Sequence, residues 1–436
     1  MPPSPAPAVP APDPLIRRHR TADAVLTLTL DGAPPAGREV VVRQLNHDFL
    51  FGCIGFDLVP LANGEPPAGQ GDGREDGPQA QEGGPAARAE HLAGLWLDLF
   101  NSATLPFYWG DFEPVRGRPD TERLRRAARW FAERGCAVKG HPLAWHTVTA
   151  DWLLDLPNAE IARAQVDRIR REMTDFAGLI GAWDVINEVV IMPIFDKYDN
   201  GITRLCREIG RIPMVKMVFD AAREADPHAT LLLNDFDMSA AYECLIEGVL
   251  EAGVEIDALG LQSHMHQGYW GEEKTLGVIE RFSRYGLPLH FTETTLVSGH
   301  LMPGEIVDLN DYRIPRWPST PEGEERQADE IVRHYKTLLS HPSVRAVTYW
   351  GITDAGAWLG APAGLVRADG TPKPAYEALR SLVKGEWWLE PVTLTADDGG
   401  RVRFTGFLGE YEVAVAGRTA VVRLGEPGET AVTVAL

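Results

Sequence analysis

Between residues 51 and 385, eight short apolar runs recur, most of them followed by a stretch with helical periodicity. The runs are 51–56, 102–108, 137–141, 182–187, 230–234, 258–263, 287–293 and 345–350. The helical stretches include 121–134, 159–176, 203–224, 239–252, 325–340 and 374–384. Strands apolar on both faces belong to parallel sheets covered by helices. Eight such units in succession predict an α/β fold, a closed (β/α)8 or TIM barrel spanning 51–385. The alternative, a doubly wound open sheet, usually carries a Gly-rich phosphate turn after an early strand, and none is present.

The flanks read differently. Residues 1–20 are expected to be a flexible tail. Residues 21–50 hold two largely alternating runs around Asp31-Gly32-Ala33-Pro34-Pro35, the pattern of a β-hairpin. Residues 386–436 read as short strands at 392–394, 402–404, 411–415, 419–422 and 430–434. Alone such a piece is marginal, so hairpin and C-terminal strands are expected to form one small accessory β-sandwich. Residues 63–90, rich in Gly, Pro and charge, are expected to be a disordered insertion. Residues 297–321 carry Leu301, Met302, Ile306, Tyr312 and Trp317 and should pack near the barrel mouth.

Composition narrows the partners. A net charge of −20 over 436 residues disfavours nucleic acid and anionic membranes. No run of 18 apolar residues occurs, so no membrane helix is expected. Cys53, Cys136, Cys206 and Cys244 lack the spacing of a zinc site or disulfide framework. The Pro/Ala-rich N-terminus has neither a basic nor an apolar signal region. A cytoplasmic location follows as an expectation, and the oligomeric state is left open.

In such a barrel the reactive groups lie at the C-terminal ends of the strands. Here those ends offer Lys139, His141, Trp145 and His146, then Asn187 and Glu188, then Asn234, Asp235 and Asp237. Further on come Gln262, His264 and His266, then Glu293, then Trp350, Asp354 and Trp358. Glu188 closes the run Trp183-Asp184-Val185-Ile186-Asn187. A glutamate ending a buried strand needs compensation or use. Paired with Glu293, it makes the minimum equipment for glycosidic cleavage, one carboxyl protonated and one ionised. Tryptophan faces suit sugar rings, and Asn, Gln and His suit their hydroxyls. No metal or cofactor is called for.

Seven stretches in order resemble glycoside hydrolase family 10, the xylanase family. They are Gly140-His141-Pro142-Leu143-Ala144-Trp145-His146 with Asp151-Trp152, residues 183–188, Asn234-Asp235-Phe236-Asp237, Gly260-Leu261-Gln262-Ser263-His264, Phe291-Thr292-Glu293, Trp350-Gly351-Ile352-Thr353-Asp354 with Trp358, and Lys373-Pro374-Ala375-Tyr376. The resemblance implies a retaining β-glycosidase, with Glu188 as acid/base and Glu293 as nucleophile. It implies substrate contacts from His141, Trp145, Asn187, Gln262, His264, Trp350 and Trp358, and an oligosaccharide or glycoside as the partner. Two rival readings are a hydrolase of another glycan and a barrel that binds carbohydrate without cleaving it.

Three positions depart from the family. After its second strand the family has Thr-Pro-Glu-Asn-Glu-Met-Lys-Trp, which grips sugars on the non-reducing side. This chain has the shorter, less polar Thr104-Leu105-Pro106-Phe107-Tyr108-Trp109. Thr295 stands where an Asp usually partners the histidine equivalent to His264, and Ala357 replaces a common Ser. Short xylo-oligosaccharides or related β-glycosides are therefore the expected substrates.

Overall fold

The computed structural model describes residues 12–66 and 84–436. Two strands come first, β1 (Thr21–Thr29) and β2 (Glu39–His47). The next eight are β3 (Leu50–Ile54), β4 (Ser102–Pro106), β5 (Ala137–His141), β6 (Ala182–Asn187), β7 (Thr230–Asp235), β8 (Ala258–Met265), β9 (Leu289–Leu296) and β10 (Val344–Tyr349). They close in chain order into a parallel barrel, with β10 beside β3. Its residues are buried nearly throughout, because side chains face either the barrel interior or the helical layer.

The helical layer includes Gly84–Leu99, Thr121–Ala132, Asn158–Asp175, Ala240–Glu251, Gly271–Ser283, Pro321–Ser340 and Pro374–Ser381. The stretch read as one helix over 203–224 is two, Gly201–Ile209 and Arg211–Ala225. Gly210 breaks it at φ +87°, a conformation that residues with a Cβ avoid. Arg168 lies wholly buried behind the ends of β4 and β5. It donates to Glu172 Oε1 at 2.8 Å, to the Leu143 carbonyl at 2.6 Å and to the Phe107 carbonyl. Its guanidinium also sits 4.8 Å from the centre of a Trp109 ring. One paired buried charge thus pins the segment 104–109 to the start of the next loop. Residues 297–321 do pack: Val297, Met302 and Trp317 are buried with Ala361 and Ala363 above the barrel end.

The last strands are β11 (Val392–Thr395), β12 (Arg401–Phe407), β13 (Gly409–Val415), β14 (Arg418–Leu424) and β15 (Gly428–Ala435). They combine with β1 and β2 in two sheets, ordered β12-β1-β15 and β11-β2-β13-β14. Period-2 burial gives each sheet one apolar face. Ala22, Ala24, Leu26 and Leu28 meet Val40, Val42, Tyr411, Val413 and Leu424 in a core separate from the barrel's.

Three expectations need correction. First, β1 and β2 are not a hairpin. Each is already paired on both edges by C-terminal strands, and a loop of residues 30–38 carries the chain from one sheet to the other. Second, the tail is helical over Pro12–Arg20. Ile16 is buried in the barrel's core, and the buried Arg20 donates to the carbonyls of Leu339, His341 and Val344 at 2.6–2.9 Å. Third, residues 84–90 of the insertion begin the helix Gly84–Leu99, whose Trp96 is fully buried. The expectations for residues 1–11 and 67–83 lie outside the described residues.

Because β1 lies between β12 and β15, deleting residues 391–436 strips both its edges while sparing Trp387, which stacks on Phe51 at 5.9 Å. Limited proteolysis of that truncation should cut within residues 21–47. Resistance equal to that of the full chain would show that the first two strands do not need the last five.

Candidate active site

Glu188 and Glu293 stand at the C-terminal rim, Glu188 just past β6 and Glu293 within β9. Both have left-handed backbone, φ 56° and 57°, which costs an L-residue about 1–2 kcal/mol each. At Glu293 the cause is visible in the register. On one side Gln262 pairs with Thr292 and His264 with Thr295; on the other Val347 pairs with Phe291 and Tyr349 with Thr294. Relative to both neighbours β9 holds one extra residue, a bulge, and bulges re-aim side chains.

Amides fix both carboxylates. Asn234 Nδ2 donates to Glu293 Oε1 at 2.9 Å and to Asn187 Oδ1 at 2.8 Å. Gln262 Nε2 donates to the same Asn187 oxygen at 3.0 Å and to Glu188 Oε1 at 3.1 Å. Two donors on Asn187 Oδ1 fix its amide orientation and turn Nδ2 towards Glu188 Oε1, 3.4 Å away. Trp145 Nε1 donates to Glu188 Oε2 at 2.9 Å, and His264 Nε2 lies 3.1 Å from Glu293 Oε2. Space for Asn234 depends on Gly260, where an added Cβ would lie 2.3 Å from Asn234 Oδ1.

Burial, then the nearby charge of Glu293, pushes the Glu188 carboxyl up to about 8 despite its hydrogen bonds from Gln262 and Trp145. Asp184 behaves oppositely. Burial alone would raise it, yet Lys139 Nζ and His141 Nδ1, each 2.7 Å from Oδ2, hold it down to about 2. Asp184 therefore locks the His141 ring and leaves Nε2 as its free nitrogen. Asp235 is pushed up to about 7 by burial, and its oxygens accept from the backbone of Val190 and Asp237. It braces the loop after Glu188.

Aromatic rings complete the rim. Trp350 meets His141 edge-on at 5.1 Å, and Trp358, 36% exposed, lies 4.8 Å from His264. All nine residues singled out in the sequence (Glu188, Glu293, His141, Trp145, Asn187, Gln262, His264, Trp350 and Trp358) thus stand at one end of the barrel. The motif reading gives no role to Asn234, Asp184 or Lys139, although each lies inside or beside a motif. A buried Lys at 139 with an Asp at 184 was the available signal, since neither charge is buried unpaired.

The departures have structural counterparts. Tyr108 sits 5.7 Å from the His141 ring, 5.6 Å from Trp145 and 5.9 Å from Phe56. Burial and then the charges of Glu293 and Glu188 push its phenol well above the usual range. Thr295 Oγ1 accepts from the Met265 backbone at 3.1 Å and faces His266 Nδ1 at 3.4 Å. Among the described residues His264 Nδ1 is buried without a partner. His146 and His266 are both pushed down to about 3 by burial, which keeps them neutral.

Comparison with known proteins shows what the chain is similar to. The family model for glycosyl hydrolase family 10 matches residues 103–382. Endo-1,4-beta-xylanase B of Thermotoga neapolitana is 28% identical over 293 residues, 63% of this chain and 78% of that protein. Endo-1,4-beta-xylanase A of Caldicellulosiruptor saccharolyticus is 26% identical over 63% of this chain and 83% of its own. The crystal structure of xylanase 10B from Thermotoga petrophila RKU-1 in complex with xylobiose superposes with a TM-score of 0.59 at 21% identity, covering 78% and 95% of the two chains. That last likeness speaks to the fold alone.

A carboxyl at about 8 when folded and near 4.5 when unfolded binds its proton more tightly in the folded state. The stability this contributes is complete below about 4.5 and is lost as pH rises through about 8. Glu188→Gln, neutral at every pH, should match wild type in thermal unfolding near pH 5 and exceed it by several degrees near pH 9. An equal difference at both pH values would mean that Glu188 titrates as an ordinary carboxylate.

Proposed function

The chain belongs to glycoside hydrolase family 10, and on that footing we propose that it cleaves xylan-type β-glycosidic bonds with retention, acting mainly on short substrates. The observation that carries the reading is the coupled pair: a Glu188 that keeps its proton to about 8 beside a Glu293 held by Asn234 and His264. With the proton placed on Glu188, Glu293, held by Asn234 and His264, takes the part of nucleophile. It attacks the anomeric carbon while Glu188 passes its proton to the departing glycosidic oxygen.

The same coupling prepares the second step. Once Glu293 is an ester it carries no charge, and one of the three causes that raise Glu188 disappears. Glu188, now ionised, takes a proton from water. The water oxygen bonds to the anomeric carbon and the ester bond to Glu293 breaks, which frees the sugar with its original configuration. Asn187, its Nδ2 fixed by Asn234 and Gln262, donates to the sugar's 2-hydroxyl. His141 and Trp145 line the same sugar, and Trp350 and Trp358 cover it.

Preference for short substrates rests on Tyr108. With Phe56 and Trp350 its ring makes an aromatic wall across the rim, joined edge-to-face at 5.9 Å on each side of Phe56. The polar residues by which the family grips further sugars are replaced by this wall. The two carboxylates in one hydrogen-bonded frame favour cleavage over binding alone.

Hydrolysis of aryl β-xylosides and xylo-oligosaccharides tests the reading. Glu293→Ala should be inactive. Glu188→Ala should lose roughly 10²–10⁴-fold on substrates with poor leaving groups, retain turnover on activated aryl glycosides, and regain rate with azide. Equal activity in all three proteins would refute the assignment, and rapid conversion of polymeric xylan into a ladder of long products would refute the preference for short substrates.

A further inference from the structure

The two loops that follow the glutamate-bearing strands are tied to each other. Lys197, in the loop after Glu188, places Nζ 2.7 and 2.8 Å from the two carboxylate oxygens of Asp311 and 3.4 Å from Asp308 Oδ2. Both aspartates belong to the long loop after β9. In the barrel β7 and β8 lie between β6 and β9, so the contact spans the rim above two strands. The long loop is held at its root. Met302 donates to the His266 carbonyl at 2.9 Å, and Gln267 Nε2 donates to the carbonyls of Pro303 and Ile306. Its tip is different: Val307 is 98% exposed, and the tip reaches across to Lys197.

The near end of this span is close to the chemistry. Tyr198, next to Lys197, is raised by burial and, to a smaller extent, by the charge of Glu188. Its ring packs on Phe195 at 4.9 Å, which in turn packs on His146 at 4.6 Å. Phe236, directly after β7 on the same rim, is 49% exposed. The wall of Tyr108, His141, Trp145, Phe56 and Trp350 occupies the opposite arc. With Glu188 as proton donor, a sugar ring set against that wall would point its leaving group past Glu188, towards the loop that carries Lys197.

We propose that Lys197, Asp308 and Asp311 form an ionic clasp over the leaving-group side of the cleft, which limits how long a leaving group the site accepts. The inference rests on Glu188 as proton donor. Closed, the clasp admits an aryl group or a short sugar segment; open, it admits a longer neutral oligosaccharide. Lys197 and Asp311 are about half exposed and Asp308 about a third. Exposed pairs are weak and screened by salt, so the clasp is easily opened and contributes little to folding. Its purpose is selection among substrates.

The test compares kcat/KM for p-nitrophenyl β-xyloside, with a small leaving group, and for xylohexaose. In Lys197→Ala the ratio of xylohexaose to aryl xyloside should rise about two- to five-fold, the population shift that an exposed pair of this kind can supply. Rates on the aryl substrate should be unchanged. Salt at 0.5 M should raise the ratio in wild type and not in Lys197→Ala. Reversing the charges, Lys197→Asp with Asp308→Lys and Asp311→Lys, should restore the wild-type ratio. An unchanged ratio in Lys197→Ala, or an equal fall on both substrates, would overturn the clasp. Failure of wild type to hydrolyse either substrate would instead overturn the assignment of Glu188 and Glu293.

Discussion

Two negative charges cannot share one buried site cheaply, and the arrangement of the rim follows from that repulsion. Glu188 and Glu293 are linked through Gln262, Asn187 and Asn234, whose amides bridge one carboxylate to the other. Buried in this frame, the pair holds a proton on Glu188 well above the usual carboxylate range. In the proposed mechanism that proton goes to the leaving oxygen, and its release is coupled to the loss of charge on Glu293.

The barrel supplies what that pair requires. A bulge in β9 and two left-handed glutamates store strain that only a rigid surround can hold. Rigidity comes from buried ion pairs placed just behind the site. Lys139 and His141 share Asp184, and Arg168 clamps the backbone at Phe107 and Leu143. Glycine is used where backbone or side chains must approach closely. At Gly140 a Cβ would meet the Trp183 ring at 2.1 Å, so this one residue allows that tryptophan to seat the strand leading to Glu188.

The barrel strands were legible in the sequence because burial on both faces leaves continuous apolar runs, and the runs at 137–141 and 182–187 match β5 and β6 in full. The glutamates were legible as charges ending such runs. What stayed hidden depended on contacts distant in sequence. Alternation in residues 21–47 shows an apolar face but not which sheet each strand joins, since their partners lie 350 or more residues away. Arg17-Arg18-His19-Arg20 reads as a solvated tail until Arg20 meets the carbonyls of Leu339, His341 and Val344. Asn234 and Asp184 look like ordinary members of a motif, and only three dimensions show one holding Glu293 and the other locking His141. Tyr108 is visible in the chain as a departure from the family, while its place in the aromatic wall is a property of the fold.

In the proposed double displacement Glu293 attacks one face of the anomeric carbon and water activated by Glu188 then attacks the opposite face, and these two inversions return the centre to its starting configuration, whatever the sugar proves to be. Proton NMR of the anomeric signals during rapid hydrolysis of an aryl β-xyloside observes this directly, before mutarotation equilibrates the product. A first-formed β anomer that later converts to the α form is the expected result. A first-formed α anomer would mean that water, not Glu293, attacks the sugar, and would contradict the double displacement on which the reading of this site depends.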